Sequence, residues 1–250
     1  MNFGKLQHSY DERTIRMSSF IRDDVFAPSN YDFDKHRHAL PLNSWGSNTY
    51  KLDPLAAQAN YVMRKGRLNE HRTLPLREQD VINRYRALTG CENPGDANDK
   101  GISVLAMMKF WTQHGWTNAN KFKIWAYGEL EPDDVILMHT AVVALYGIFI
   151  GFWLPLGVLG NLDYWDYRGQ TGREWKPGLL GGFLGYCKAY DQSGYEILGW
   201  GNRIRVTHEF VRKYCDEAWA VVENPDSEIS HVVDVAGLTA QLESATKPRS

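Results

Sequence analysis

The sequence predicts an α+β fold in which a mainly helical lobe comes first and a mainly antiparallel sheet lobe follows. Three observations carry that prediction. Helix signals cluster between residues 53 and 114, whereas strand signals dominate after 121. Residues 181–201, GGFLGYCKAYDQSGYEILGWG, read as a hairpin: the aromatic-rich run Phe183–Tyr190, a polar turn over Asp191, Gln192, Ser193 and Gly194, then Tyr195–Trp200 closed by Gly201. The uncharged run Ala141–Gly160 is long enough to span a bilayer, but Gly147, Gly151, Pro155 and Gly157 break it. It therefore divides into the end of a helix and a buried strand, not a membrane span.

Taken in order, Met1–Ser47 is expected to be mostly extended, with a turn at Ala27-Pro28-Ser29-Asn30. Asp53 reads as an N-cap and Pro54 as the first position of a helix over Asp53–Lys65. A second helix is predicted over Leu76–Thr89, bracketed by Pro75 and Gly90, and a loop over 91–101. A third runs Ile102–His114, apolar at Ile102, Leu105, Ala106, Met108 and Trp111 and stopped by Gly115. Lys121–Tyr127 reads as a strand because Phe122, Ile124 and Ala126 alternate. Pro132 and the acidic pair Asp133-Asp134 start a helix over Pro132–Tyr146, which Gly147 ends. A buried strand Ile148–Leu154 follows, stopped by Pro155. Leu162–Gly178 is a loop rich in Tyr, Trp and Arg. Beyond the hairpin, Ile204–Val206 reads as a further strand. Thr207 caps a helix His208–Asp216, Ala218–Val222 is a strand, Glu223–Ser230 a polar linker and Val235–Ala245 a terminal amphipathic helix, with Thr246–Ser250 frayed.

Composition narrows the function classes. A formal net charge of −2, with no basic block, argues against nucleic-acid binding by counterion release. The 43 % hydrophobic and 23 % charged content is that of a globular protein, and the first eight residues lack the apolar core of a secretion signal. Three scattered cysteines, Cys91, Cys187 and Cys215, fit neither a disulfide framework nor a zinc site.

The Gly181–Gly201 stretch resembles the back half of papain-like cysteine peptidases, in particular the compact versions coded by phages and their bacterial relatives. There the pattern is Gly-Gly-His, an apolar strand into Gly-Tyr-Asp, a Gly turn, then a strand ending in Trp-Gly. The likeness extends to Gly4-Lys5-Leu6, Asp11-Glu12-Arg13, the helix–Gly–strand–Pro order ending at Pro155, and Asp234-Val235-Ala236-Gly237-Leu238. It implies one papain-like domain over 1–250: an extended leader (1–47), a helical lobe (48–120), a sheet or barrel lobe (121–222), and a linker with a C-terminal helix (223–250).

The resemblance also implies lost chemistry. A cysteine peptidase needs a thiolate at a helix start, a histidine base, a group that orients the ring and an oxyanion donor. The stretch that matches the nucleophile loop is Ser47–Pro54, which puts Pro54 in the nucleophile's place. Phe183 takes the base's place and Leu198 the orienter's, while Asn48 matches the oxyanion side chain. A one-residue slip supplies no Cys or His. A relocated Cys187–His208 pair is the alternative thiol site, because Cys187 shares a strand face with Phe183. For metals, His36 and His38 share a face of an extended segment and suit zinc or nickel, but no third ligand is near and an exposed basic turn explains them as well. Asp133-Asp134 reads as a helix-start pair and His139 as a satisfied core histidine.

The expectation is thus a catalytically inactive papain-like protein with no catalytic, cofactor or metal residues. By analogy with its phage-coded likenesses it serves as a virion or assembly component, a capsid decoration, tail or baseplate protein made in the host cytoplasm. Its partners are other virion proteins in multiple copies, without nucleic acid or membrane insertion. Leu162–Trp175 and Asn30–Trp45 are the expected contact surfaces, with lobe-to-lobe packing the competing explanation. A degenerate cleft that still binds a peptide or receptor, and an active Cys187–His208 hydrolase, are the other readings.

Overall fold

The computed structural model describes residues 1–35, 41–70, 76–116, 122–226 and 229–246. In chain order these form β1 (Ile15–Arg16), β2 (Tyr31–Asp32), α1 (Asp53–Glu70), α2 (Glu78–Thr89), α3 (Val104–His114), β3 (Ala126–Leu130), α4 (Val135–Ala144), β4 (Ile148–Leu154), β5 (Tyr164–Trp165), β6 (Gly181–Asp191), β7 (Gly194–Gly199), β8 (Asn202–Thr207), α5 (His208–Tyr214), β9 (Cys215–Val222) and α6 (Val235–Thr246). His36, His38, Pro75, Lys121 and the tail from 247 lie outside the described residues.

The α+β prediction holds. The nine described strands form one sheet in the order β1-β3-β9-β4-β6-β7-β8-β5, with β2 beside β6. It is antiparallel except at its margins, where β1 runs parallel to β3 and β5 parallel to β8. Because side chains alternate along a strand, the sheet feeds two cores. Phe183 and Cys187 enter one, with Met138 of α4 and Phe210 of α5. Leu184, Tyr186, Leu198 and Phe149 enter the other, against Leu55, Tyr61 and Val62 of α1 and Trp111 of α3. Among the described residues no helix is long and apolar enough to cross a membrane. The 141–160 run divides at Gly147, which takes φ 122 with the Tyr186 ring where a side chain would stand.

Several boundaries move for identifiable reasons. α1 accepts its first backbone bonds at the Leu52 carbonyl, so Asp53 is not the cap and its carboxylate is released for other work. Ser103 caps α3 by accepting from Ala106 N at 3.2 Å. That leaves Ile102 outside the helix, where it exchanges backbone bonds with the N-terminal segment. The strand expected at Lys121–Tyr127 begins only at Ala126, because the Trp111 indole donates to the Phe122 carbonyl at 2.6 Å and Phe122 turns at φ 57. Asp134, not Pro132, starts α4 by accepting from Leu137 N at 2.9 Å. α5 ends at Tyr214, because Cys215 already pairs with Phe152 across a bulge in β4–β9. Thr207 caps α5 as expected, accepting from Phe210 N at 3.2 Å.

Candidate functional site

The seam between the two lobes lies where the start of α1 meets β6. Asp53 stands there fully buried, and its two carboxylate oxygens face opposite ways: one accepts the backbone N–H of Gly4, the other that of Leu184 at 2.7 Å. Burial raises the Asp53 carboxyl to about 7, opposed by the Leu184 and Gly4 amides and by the Lys5 charge. The residue after it, Pro54, is buried and offers neither a nucleophile nor an N–H.

The seam is occupied by the chain's own residues Asn2–Leu6. On the helical side, Asn2 N donates to Ser47 O at 3.2 Å, the Asn2 side chain donates to Thr49 O at 2.6 Å, and Gly4 and Leu6 exchange backbone bonds with Ile102 at 2.7 and 3.1 Å. On the sheet side, Lys5 N donates to Gly182 O at 3.2 Å and the Trp200 indole donates to Asn2 O at 3.1 Å. Phe3 meets the Trp200 ring edge-on at 5.3 Å. The expected oxyanion donor, Asn48, is exposed and contributes its carbonyl to the Asn2 amide.

Lys5 anchors this segment. Its side chain is wholly buried, with Nζ 2.7 Å from Asp216 and 2.9 Å from Glu217, and 5.0 Å over the Trp153 ring. Burial by itself lowers an ammonium, but the charges and hydrogen bonds of Glu217 and Asp216 outweigh it and raise Lys5. Two glycines make the room: a Cβ on Gly151 would strike the Lys5 side chain at 2.5 Å, and one on Gly182 would overlap the Lys5 carbonyl.

The positions matched to a peptidase's groups do not converge. Leu198 lies on the α1 side of the sheet, but Phe183 turns away into the other core, its ring 4.1 Å from that of Trp200 with the planes tilted by 32°, and edge-on to Trp165. The β6 residue whose backbone meets the start of α1 is Leu184. Neither it nor Gly182 carries an imidazole.

The alternative pair is not assembled either. Cys187 does share the Phe183 face, as predicted, but it has no exposed surface and its thiol points to the Ala189 carbonyl at 3.4 Å. Burial pushes that thiol up to about 12. His208 is surrounded by Tyr195 and His139, at 5.0 and 5.4 Å between ring centroids. The expectation that His139 is a satisfied core histidine fails: its Nε2 is buried without a hydrogen-bond partner, as are His208 Nδ1 and the Tyr195 hydroxyl. Among the described residues no cluster of three or more His, Cys, Asp or Glu is arranged to hold a metal ion.

Sequence reasoning missed Asp53 as a cross-lobe acceptor, Lys5 as a buried anchor, and the His139–His208–Tyr195 cluster. The signal for Lys5 was present in two glycines, Gly151 and Gly182, placed in strands that otherwise have no use for them.

No family model matches this chain, and no curated protein matches it in sequence. Its structure is similar to those of cysteine proteases. Xylellain from Xylella fastidiosa superposes with a TM-score of 0.68 at 13 % identity, over 89 % of this chain and 96 % of that one. The Carica candamarcensis protease CMS1MS2 gives 0.54 at 13 % identity over 79 % and 99 %, and digestive procathepsin L 3 of Tenebrio molitor gives 0.56 at 12 % over 88 % and 76 %. At such low identity these likenesses establish the architecture and nothing finer.

Proposed function

On this papain-like fold, we propose that the chain is catalytically inactive and serves as a structural or assembly component, incorporated into a virion. The observation that carries the reading is the occupied seam: Pro54 follows Asp53 at the start of α1, and Asn2–Leu6 fill the space in front of it. A peptidase requires that space for substrate and a thiolate at that helix end. None of the three described cysteines stands at the start of α1: Cys187 is buried on the far face of β6, Cys91 bonds the Asn93 carbonyl at 3.2 Å, and Cys215 opens β9 with its thiol on the Glu217 carbonyl at 3.4 Å. The virion assignment rests on the likeness to phage-coded sequences. Two measurements test the reading together. A thiol-directed peptidase probe should leave the native protein unlabelled, and the chain should sediment with purified particles in a fixed copy number. Labelling at any cysteine with concurrent peptide hydrolysis would overturn the first part, and recovery only as free protein would overturn the second.

A second reading keeps the seam as a peptide-binding groove. It is favoured by the way Asn2–Leu6 bind, through backbone bonds to both lobes together with one buried lysine, the manner in which a groove takes an extended peptide.

A further inference from the structure

Two adjacent carboxylates converge on one buried amine at the sheet side of the seam. Neighbouring strand residues ordinarily face opposite sides. Here Gly151 pairs with Glu217 and Phe152 with Cys215, so Asp216 is the extra residue of a β-bulge, and both it and Glu217 reach Lys5. Gly151, opposite, has no side chain to stand where the Lys5 methylenes pass. The Lys5 ammonium is fixed by three acceptors: Asp216 Oδ2 at 2.7 Å, Glu217 Oε1 at 2.9 Å and the Leu6 carbonyl at 3.3 Å.

Three features of this contact exceed what an ion pair needs. Two carboxylates share one ammonium, and burial raises the Glu217 carboxyl, which places a proton donor beside the amine. The second Asp216 oxygen, Oδ1, is buried without a partner, an environment that suits an amide carbonyl better than a carboxylate. The amine is also dry: the Lys5 and Glu217 side chains are 0 % and 1 % exposed, with the Trp153 ring 5.0 Å from Nζ. A cavity of about 180 Å³ lined by Asp216 and Glu217 gives a released water somewhere to go.

We propose that Lys5 Nζ and Asp216 Cγ condense into an isopeptide bond, with Glu217 carrying the protons, which ties the N-terminal segment covalently to β9. At rest the pair is an ammonium and a carboxylate, so the step opens with one proton passing from Nζ to Asp216. The freed Nζ lone pair attacks Cγ and forms the C–N bond. Glu217 protonates the departing hydroxyl, the C–O bond breaks, water leaves, and the nitrogen returns a proton to Glu217. Nothing is oxidised or reduced and no co-reactant is consumed. Holding amine and acid in contact replaces a bimolecular encounter, and the sealed surroundings keep water from reversing the bond. The reaction takes no external substrate and is independent of the function proposed above. The ion pair is its precursor, so the energetics of Lys5 as a cation, and of the segment as a separable peptide, are those of the uncondensed chain.

The test is the intact mass of the full chain, denatured and reduced after prolonged incubation at neutral pH. The parent should be lighter than its sequence mass by one water. Its tryptic digest should contain a branched peptide that joins residues 1–13, uncut after Lys5, to the peptide that starts at Tyr214. Lys5→Arg and Asp216→Ala should each keep the full mass, and Glu217→Gln should slow the loss of water by roughly a hundredfold. If a variant does not fold, the mass and digest of the parent decide alone. A parent at full sequence mass refutes the proposal. So does a lost water that maps to an unbranched imide or to Lys188, the other buried lysine held by carboxylates, or one that persists in Lys5→Arg.

Discussion

His139 lies flat on Tyr190, ring centroids 3.7 Å apart and planes 10° from parallel. His208 and Tyr195 close around the other side of the imidazole at 5.4 Å each. α4, α5 and β7 therefore meet through three polar rings whose buried Nε2, Nδ1 and hydroxyl atoms have no hydrogen-bond partner. Such a junction tolerates neutral imidazoles far better than charged ones.

A pH dependence follows. Burial lowers His139 to about 4, helped by His208 and opposed by Asp191, and burial also lowers His208. Asp191 and Arg205 face His208, Arg212 lies on its own helix, and Asp134 faces Tyr195. A depressed imidazole contributes stability that is present above its ordinary 6.5 and is lost as pH falls through about 4. His139→Phe keeps the stack and removes the proton site. Its unfolding free energy should fall less between pH 7 and pH 4.5 than that of the parent, by about 1–2 kcal/mol after allowance for solvent screening. Parallel denaturant curves at the two pH values check it, and identical pH slopes would refute it.

Asp53 has the opposite sign. Its carboxyl is raised to about 7, so its contribution is greatest below pH 4 and is lost as pH rises through 7. Asp53→Ala leaves the Gly4 and Leu184 amides without acceptors and should cost about 2–5 kcal/mol. The cost should be larger at pH 4.5 than at pH 8, measured by urea unfolding. A cost that grows with pH would show that the buried carboxylate is ionised in the fold.

Asp53 also shows how far the sequence could be read. Pro54 after an acidic residue marked the start of α1 correctly, because proline at the first turn is a local signal. The same signal made Asp53 look like a cap, and nothing within α1 announces that its partners are 49 and 131 residues away. The hairpin and the break at Gly147 were legible for the same reason, since turn residues act locally. The facing of β6 was not. Its Phe183 was matched to the cleft by motif order, but strand alternation together with the position of α1 decides the face, and only Leu184 meets Asp53. Leu162–Gly178 was read as a loop, but Tyr164–Trp165 form β5 there, a two-residue strand paired only with β8 and too short for any alternation to mark.

Lys5 carries the next prediction. Its two carboxylates come from adjacent β9 residues, one of them 1 % exposed in its side chain. Lys5→Met removes the cation and leaves the buried Glu217 and the half-buried Asp216 without compensation, a cost of about 3–5 kcal/mol. Glu217→Gln in the same chain should recover part of that loss, because it deletes one of the stranded charges. Chemical denaturation of the two single variants and the double variant gives the coupling. Additive costs would mean that the three groups do not act as a unit.

The N-terminal segment supplies the last prediction. A chain without residues 1–8 loses the bonds that join Ser47, Ile102 and Gly182 through Asn2–Leu6, together with the Lys5 anchor. If the seam is a groove for extended backbone, the synthetic peptide MNFGKLQH should rebind in trans and stabilise the shortened chain by about 2.7 kcal/mol at a hundredfold excess over Kd, read as a rise in melting temperature. The same peptide with alanine at the lysine should fail, because it leaves Asp216 and Glu217 unpaired. Should the shortened chain not fold, a protease site placed after His8 in the full chain gives the same readout: the cleaved octapeptide stays bound during gel filtration. Its immediate release, with the remaining chain still folded, would show that the seam holds the segment only through covalent connection.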